Sequence, residues 1–209
     1  FVSNALAAGI KTGHLTIISA LSALGKELSL GEIDQICNVR EHHFDEQSYF
    51  MMIRKKTASL FLNCVKMGAE AAGATPVEYS PMVQYAELLG LCFQIKDDIF
   101  DYFPNPQIGK PTGNDLREGK VTLPLLYALN NAPEEHSTLM KDMLVKGDLT
   151  TDEINTLIEF AKDNGGIDYA FEVMRDMQKE ADSIIDRYPD CESKKCFKEI
   201  FEFIISRDF

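Results

Sequence analysis

The residues best suited to chemistry in this chain are three carboxylates that close an apolar stretch. Residues 85–93 are too apolar for a surface helix, yet Asp97, Asp98 and Asp101 follow within two turns. On a helix, Asp97 and Asp101 lie one above the other, with Gln94 one turn earlier. Like charges four residues apart, near the negative end of the helix dipole, destabilise each other. The pattern therefore predicts a compensating cation.

Magnesium is the cation that this set of oxygen donors suits best. Mg2+ takes one or two protein carboxylates, while waters and substrate phosphates fill its other positions. The pattern thus favours a phosphate ester as the substrate. A solvated acidic helix end is the alternative that spacing alone leaves open.

Two basic stretches accompany the carboxylates. Prolines and glycines predict a loop at residues 103–120, and this loop can fold Lys110 and Lys120 back over the acidic helix end. An ordinary polar connection is the alternative. Residues 54–57 read Arg-Lys-Lys-Thr, which by spacing alone is typical of a basic surface patch.

Four segments together resemble the trans-type isoprenyl diphosphate synthases, also called polyprenyl synthetases. Residues 94–101, Gln-Ile-Lys-Asp-Asp-Ile-Phe-Asp, are similar to the second aspartate-rich motif of that family. Residues 109–120 are similar to the segment that follows it, and residues 56–61 to a Lys-Thr-Ala element with a downstream Leu-Phe. Residues 31–35 resemble a Gly-Glu-x-x-Gln element. Residues 94–102 and 53–61 are most similar to bacterial medium- and long-chain synthases.

The resemblance implies a fold and a reaction. The fold is an all-α helical bundle around a central cavity, and the reaction is condensation of isopentenyl diphosphate with an allylic diphosphate, assisted by Mg2+. A homodimer is also implied, with exposed apolar residues of the first two helices at its interface. In this family an apolar cavity protects the allylic cation from water.

The resemblance also implies a role for each candidate residue. Metal ligation falls to Asp97 first, with Asp101 and Asp98 next, partly through water. Stabilisation of the departing diphosphate falls to Lys56 and Lys110. The other implied substrate contacts are Thr57, Phe93, Gln94 and Lys120, whereas Asp115 and Arg117 are expected to brace the loop as a pair.

One part of the family pattern is not found. The only Asp-Asp pair in the chain is Asp97-Asp98, so the family's first aspartate-rich motif is missing, as is its upstream basic set for isopentenyl diphosphate. The chain starts at Phe1, already inside an apolar helical pattern. We therefore expect residues 1–209 to form a single helical domain equivalent to the last two-thirds of a synthase, inactive as an isolated chain.

Composition narrows the class of protein further. A net charge of -12 and a pI near 4.8 argue against nucleic acid or an anionic membrane as partner, since both require a basic face. No apolar run approaches a transmembrane segment, and a cytoplasmic location is expected. Five scattered cysteines do not indicate disulfides or zinc, and Cys64 and Cys92 are expected in the core.

Helical periodicity runs along the whole chain, without strand alternation, which predicts an all-α protein. Predicted boundaries are a break at Gly13, caps at Asp45 or Ser48, capping boxes at Thr75 and Thr150, a second helix start at Ser80-Pro81, and a stop at Gly165-Gly166.

Two further functions stay open beside the synthase. A non-catalytic subunit or homologue would act through protein partners and would need no first motif. A metal-dependent terpene cyclase uses a related cavity, but Lys56-Thr57 and Gly109-Lys110 match the chain-elongating family better. A cyclase would act on an allylic diphosphate alone.

Overall fold

The computed structural model describes residues 2–104 and 112–207, and within them it contains helices and no β-strand. The predicted all-α class is therefore confirmed. A π-helix at Arg54–Ala58 joins the helix Glu46–Ile53 to the helix Ser59–Ala71. The α-helices are α1 Val2–Thr12, α2 Leu15–Glu41, α3 Glu46–Ile53, α4 Ser59–Ala71, α5 Pro76–Phe100, α6 Asn114–Arg117, α7 Leu123–Asn131, α8 Glu134–Lys146, α9 Thr151–Asp163, α10 Gly166–Ile185 and α11 Glu192–Ser206.

Helix α5 is the centre of the bundle. It packs against α4, the π-helix, α10 and α11. From Tyr85 onward its apolar residues are mostly buried, with Tyr85 and Ala86 at 1% exposure and Cys92 and Ile95 at 0%, whereas Val77 in its first turn is 85% exposed. The apolar stretch before the carboxylates is thus part of the core. Cys64 on α4, which was also expected in the core, is exposed, so that prediction is wrong.

Local capping interactions set the start of three helices. Asp45 caps α3 by accepting a hydrogen bond from the Ser48 backbone N–H at 2.7 Å. The Glu78 carboxylate accepts from the Thr75 backbone N–H at 2.7 Å, and Glu153 accepts from Thr150 at 2.8 Å, so both capping boxes are confirmed.

The predicted second helix start at Ser80-Pro81 is wrong, because α5 runs without interruption through Pro81. Thr75 and Glu78 already begin the helix one turn earlier. Its long buried face then holds the helix together across the position where proline supplies no N–H.

Helix α6 is a turn that the sequence pattern did not predict. Its first two backbone N–H groups, from Asn114 and Asp115, donate to the Asp101 carboxylate at 3.1 and 2.8 Å. The acceptor lies more than twelve residues upstream, so no local motif reveals this cap. These hydrogen bonds anchor the start of α6 to the carboxyl end of α5.

A second apolar cluster joins the carboxyl-terminal half of the chain to the end of α5. It lies between α7, α8 and α9 and includes Tyr102, Leu125, Leu129, Met140, Ile154, Leu157 and Ile158. Among the described residues, no helix has both the length and the apolar content to cross a membrane.

Candidate active site

The π-helix presents Lys56 and Thr57 to two different helices. Lys56 Nζ donates to Gln35 Oε1 at 2.6 Å and lies 3.0 Å from Glu32 Oε2, both on α2. Thr57 Oγ1 donates to Gln94 Oε1 on α5 at 2.6 Å. The Glu32 and Gln35 pair, which by spacing alone resembles surface residues, therefore holds the lysine in place.

A hydrogen-bonded chain runs from Thr57 to the buried carboxyl of Asp98. Gln94 accepts from Thr57 and donates from Nε2 to Asp98 Oδ1 at 2.7 Å. Tyr49 Oη donates to the other oxygen, Asp98 Oδ2, at 2.7 Å. The network joins the Lys-Thr-Ala element to the aspartate-rich element, which are 37 residues apart at Thr57 and Gln94.

Asp98 is 5% exposed, and burial raises the pKa of its carboxyl to about 7. Desolvation disfavours the charged form, and the hydrogen bonds from Tyr49 and Gln94 only partly offset this effect. Burial likewise raises the pKa of Tyr49 well above its usual value. A cation near Asp98 would shift the carboxyl toward its charged form.

Asp101 is also buried, at 8% exposure, and its carboxylate caps α6 as described above. It therefore fixes the loop onto the carboxyl end of α5. Ligation of a metal by Asp101 would require sharing an oxygen between the metal and these backbone N–H groups.

Asp97 has a side chain that is 41% exposed and forms an ion pair with Arg207. The Arg207 guanidinium also donates to the Phe93 carbonyl at 3.3 Å and stacks on the Phe93 and Phe100 rings, at 4.5 and 5.2 Å from their centroids. Its Nε is buried without a hydrogen-bond partner among the described residues. The charge pattern predicts a compensating cation, and at Asp97 the Arg207 side chain supplies that positive charge.

The three aspartates point to three different partners. Within residues 2–104 and 112–207, no three His, Cys, Asp or Glu side chains are grouped closely enough to hold a metal ion. Metal ligation by Asp97, Asp98 and Asp101 therefore stays a prediction.

A cavity of about 210 Å³ lies between α2, α3, α5 and the segment that leads into α7. Its lining brings together many of the predicted polar residues, including Gln35, Lys56, Gln94, Asp98, Asp115 and Lys120. Phe93 packs against Phe61, with ring centroids 5.4 Å apart, and beneath Arg207. Lys110 lies outside the described residues, so its two predicted roles stay predictions.

Loop bracing differs from the prediction for Asp115 and Arg117. Asp115 pairs with Lys120 at 3.4 Å, whereas Arg117 donates to the Thr112 carbonyl at 2.7 Å. The α6 turn places Asp115 toward the cavity, so the predicted Asp115–Arg117 pair is wrong. Lys120 also contacts Glu118 at 2.5 Å, and a phosphate would have to compete with both acids for it.

Comparison with known proteins identifies the family. A profile described as polyprenyl synthetase matches residues 2–161. The chain belongs to the polyprenyl synthetase family. Octaprenyl diphosphate synthase of Haemophilus influenzae is 30% identical over 196 residues, which are 93% of this chain and 59% of that protein.

Solved structures of polyprenyl synthetases share the fold. Geranylgeranyl pyrophosphate synthase from Bacteroides thetaiotaomicron is 40% identical, with a TM-score of 0.92 over 98% of this chain and 68% of that one. Polyprenyl synthase from Caulobacter crescentus, solved with calcium and isoprenyl diphosphate, is 26% identical with a TM-score of 0.87 over 95% and 61%. The chain therefore spans about three fifths of the Haemophilus and Caulobacter proteins.

Two residues of this candidate site in the polyprenyl synthetase could not be found from the sequence. Tyr49 has the pattern of an ordinary core aromatic, and only its contact with Asp98 across 49 residues reveals a polar role. Arg207 follows the apolar stripe of α11 and meets Asp97 across 110 residues. The charge imbalance at the aspartates predicted some cation, but nothing local pointed to this one.

Proposed function

We propose that this chain is part of a prenyltransferase that condenses isopentenyl diphosphate with an allylic diphosphate. The observation that carries the proposal is the hydrogen-bonded chain from Thr57 through Gln94 to Asp98. It brings the two elements assigned to the allylic diphosphate and to the metal together beside one cavity.

The donor set at the end of α5 fits a magnesium ion. Asp97 offers an accessible carboxylate, although a metal ion would have to displace Arg207 or share the carboxylate with it. One such carboxylate, with substrate phosphate oxygens and waters, is the ligand set that Mg2+ commonly takes. Asp97 would hold the ion directly, and Asp101 and Asp98 would contribute next, partly through water. The ion would stabilise the negative charge of the departing diphosphate. The calcium and isoprenyl diphosphate in the Caulobacter relative support this choice.

Lys56 and Thr57 bind the allylic diphosphate in this mechanism. The ammonium supplies charge, and the hydroxyl supplies a directional hydrogen bond to a phosphate oxygen. Both lower the energy of the developing diphosphate anion as the allylic C–O bond breaks with its electron pair on oxygen. Lys110 and Lys120 add positive charge from the loop.

The carbon–carbon bond then forms without a protein nucleophile. The double bond of isopentenyl diphosphate attacks the allylic carbon, and the proton lost from its C2 passes to the released diphosphate. Apolar walls keep water from the cation; in this cavity they include Met52 and Ile53, whereas Phe93 is not among the lining residues.

Assembly and location complete the proposal. Residues 1–209 form one domain that acts in the cytoplasm as part of a homodimer. Ile10 and Leu15, which are 63% and 81% exposed on α1 and α2, would contribute to the dimer interface.

Binding of an allylic analogue to the 209-residue chain tests this assignment. Farnesyl thiolodiphosphate should bind with an affinity that rises with Mg2+, and Lys56→Ala should weaken binding at least tenfold, since an ammonium–phosphate contact is lost. Lys179→Ala is the control, because Lys179 is 77% exposed on α10 and pairs only with Asp176 in the described part of the chain. An affinity for the analogue that changes neither with Mg2+ nor with Lys56→Ala would contradict the assignment.

A further inference from the structure

Two glycines enclose the π-helix that carries Lys56 and Thr57. A Cβ on Gly31 of α2 would lie 2.5 Å from the Lys56 backbone nitrogen and 2.8 Å from its Cα. On the other side, a Cβ on Gly90 of α5 would lie 2.6 Å from the Ala58 Cα. Unstrained carbon contacts are about 3.5–4.0 Å. Neither helix can therefore carry a side chain here unless the π-helix backbone moves.

Gly31 lies on the same face of α2 as the partners of the two lysines. Asp34 and Gln35 follow it by three and four residues, so all three share one side of the helix. Asp34 accepts from Lys55 Nζ at 2.7 Å, and Gln35 accepts from Lys56 Nζ at 2.6 Å. Close backbone approach and side-chain bonding thus occur at one contact.

Gly90 is placed in the same way on α5. It lies three residues after Glu87 and four before Gln94, again on one side of the helix. Glu87 pairs with Arg54 at 2.7 Å, and Gln94 accepts from Thr57 Oγ1 at 2.6 Å. Each glycine therefore sets the distance at which its own helix can bond the π-helix side chains.

Glycine has a cost at both positions. In a helix interior it is less favourable than alanine, because its backbone loses more freedom on folding. A π-helix is itself a rare form that occurs mostly at functional sites. Both features together mark a contact that serves the position of the π-helix rather than helix stability.

We propose that Gly31 and Gly90 are positioning residues for diphosphate binding. Their missing side chains set the depth of the π-helix between α2 and α5, and this depth places the Lys56 ammonium and the Thr57 hydroxyl at the diphosphate. The inference rests on the proposed function, which assigns the diphosphate to Lys56 and Thr57.

Calorimetric titration of the 209-residue chain with inorganic pyrophosphate and Mg2+ tests the proposal. Gly31→Ala and Gly90→Ala should each weaken pyrophosphate binding at least tenfold. Gly25→Ala on α2 is the matched control, since a Cβ at Gly25 meets no atom within 4 Å, and it should bind within twofold of the parent chain. Thermal unfolding, followed by circular dichroism, establishes that each variant is folded at the titration temperature.

A double-mutant cycle separates positioning from general destabilisation. If Gly31→Ala acts through Lys56, then adding it to Lys56→Ala should cause no further loss of pyrophosphate affinity. A merely structural effect would weaken binding equally in both backgrounds. Gly90→Ala combined with Thr57→Val gives the same comparison from α5, and it suffices if Gly31→Ala does not fold.

The outcomes distinguish the two proposals. Weak binding by the glycine variants with non-additive cycles supports the positioning role. Binding within twofold of the parent chain, or fully additive cycles, overturns the positioning role and leaves the proposed function intact. No pyrophosphate binding by the parent chain, or no effect of Lys56→Ala, overturns the assignment of diphosphate to Lys56 and the positioning role with it.

Discussion

At the scale of single residues, the aspartates have different partners and different burial, although their spacing on one helix suggested a shared role. Asp98 is inside the fold, bonded to Tyr49 and Gln94, while Asp97 remains accessible and pairs with Arg207. Helical spacing correctly predicted that they crowd one end of α5. It could not predict which carboxylate is buried, because burial depends on α3, a different part of the chain.

Asp98 should make the free energy of unfolding depend on pH. Its carboxyl has a pKa of about 7 in the folded protein and about 3.9 when unfolded, so the folded state binds more protons between those values. Stability should therefore fall as pH rises from 4 to 7. Asp98→Asn should remove most of this slope and raise the free energy of unfolding at pH 8 by up to about 4 kcal/mol, since each of the roughly three pKa units corresponds to about 1.4 kcal/mol.

Urea denaturation at pH 5 and pH 8, with EDTA present, measures the Asp98 effect. Asp176→Asn is the control, because that carboxylate is 65% exposed on α10. Equal pH slopes in the parent chain and Asp98→Asn would contradict a raised pKa for the buried carboxyl.

Arg207 should compete with divalent cations for Asp97. Removing it by Arg207→Ala should tighten Mn2+ binding about 1.4- to fivefold, the equivalent of the roughly 0.2–1 kcal/mol typical of an exposed ion pair. Electron paramagnetic resonance of free Mn2+ measures the affinity. Arg187→Ala, which removes an exposed arginine that bonds the Ser183 carbonyl, controls for net charge. Mn2+ affinity that is unchanged by Arg207→Ala would show that the ion does not bind at Asp97.

At the scale of elements, the sequence was informative wherever a helix end is set by its own neighbours. Capping at Asp45, Thr75 and Thr150 was predictable because donor and acceptor lie three residues apart. Helix α6 was not, because its cap, Asp101, comes from another helix. The π-helix has no sequence signal of its own, and tertiary contacts with Gly31 and Gly90 accompany it.

Pro81 is a local defect that the packing of α5 tolerates. It lies one turn inside the helix and provides no N–H, whereas Pro76 occupies the first turn, where no bond is lost. Pro81→Ala should raise the free energy of unfolding by about 1–2 kcal/mol, less than the full penalty of about 3 kcal/mol for an interior proline because the unfolded chain also gains freedom. Pro76→Ala should not stabilise the chain. Chemical denaturation compares the two variants, and equal effects would contradict the difference.

At the scale of the whole molecule, family and fold followed from short motifs because those motifs lie at one cavity. Residues 56–61 and 94–101 are separate in sequence but meet through Thr57 and Gln94. The partner of Asp97 could not be predicted, since it comes from the far end of the chain. Only one of the family's two aspartate-rich motifs is present in these 209 residues.

Incorporation of labelled isopentenyl diphosphate into an allylic diphosphate, with Mg2+, is the most direct test of the prenyltransferase assignment. It should be measured for the 209-residue chain and for a chimera that adds the part of the Bacteroides synthase that this chain does not cover, about a third of that protein. We expect no elongation by the chain alone, elongation by the chimera, and loss of it with Asp97→Ala or Lys56→Ala. A folded chimera that elongates nothing, or elongates equally well without Asp97 and Lys56, would contradict the account.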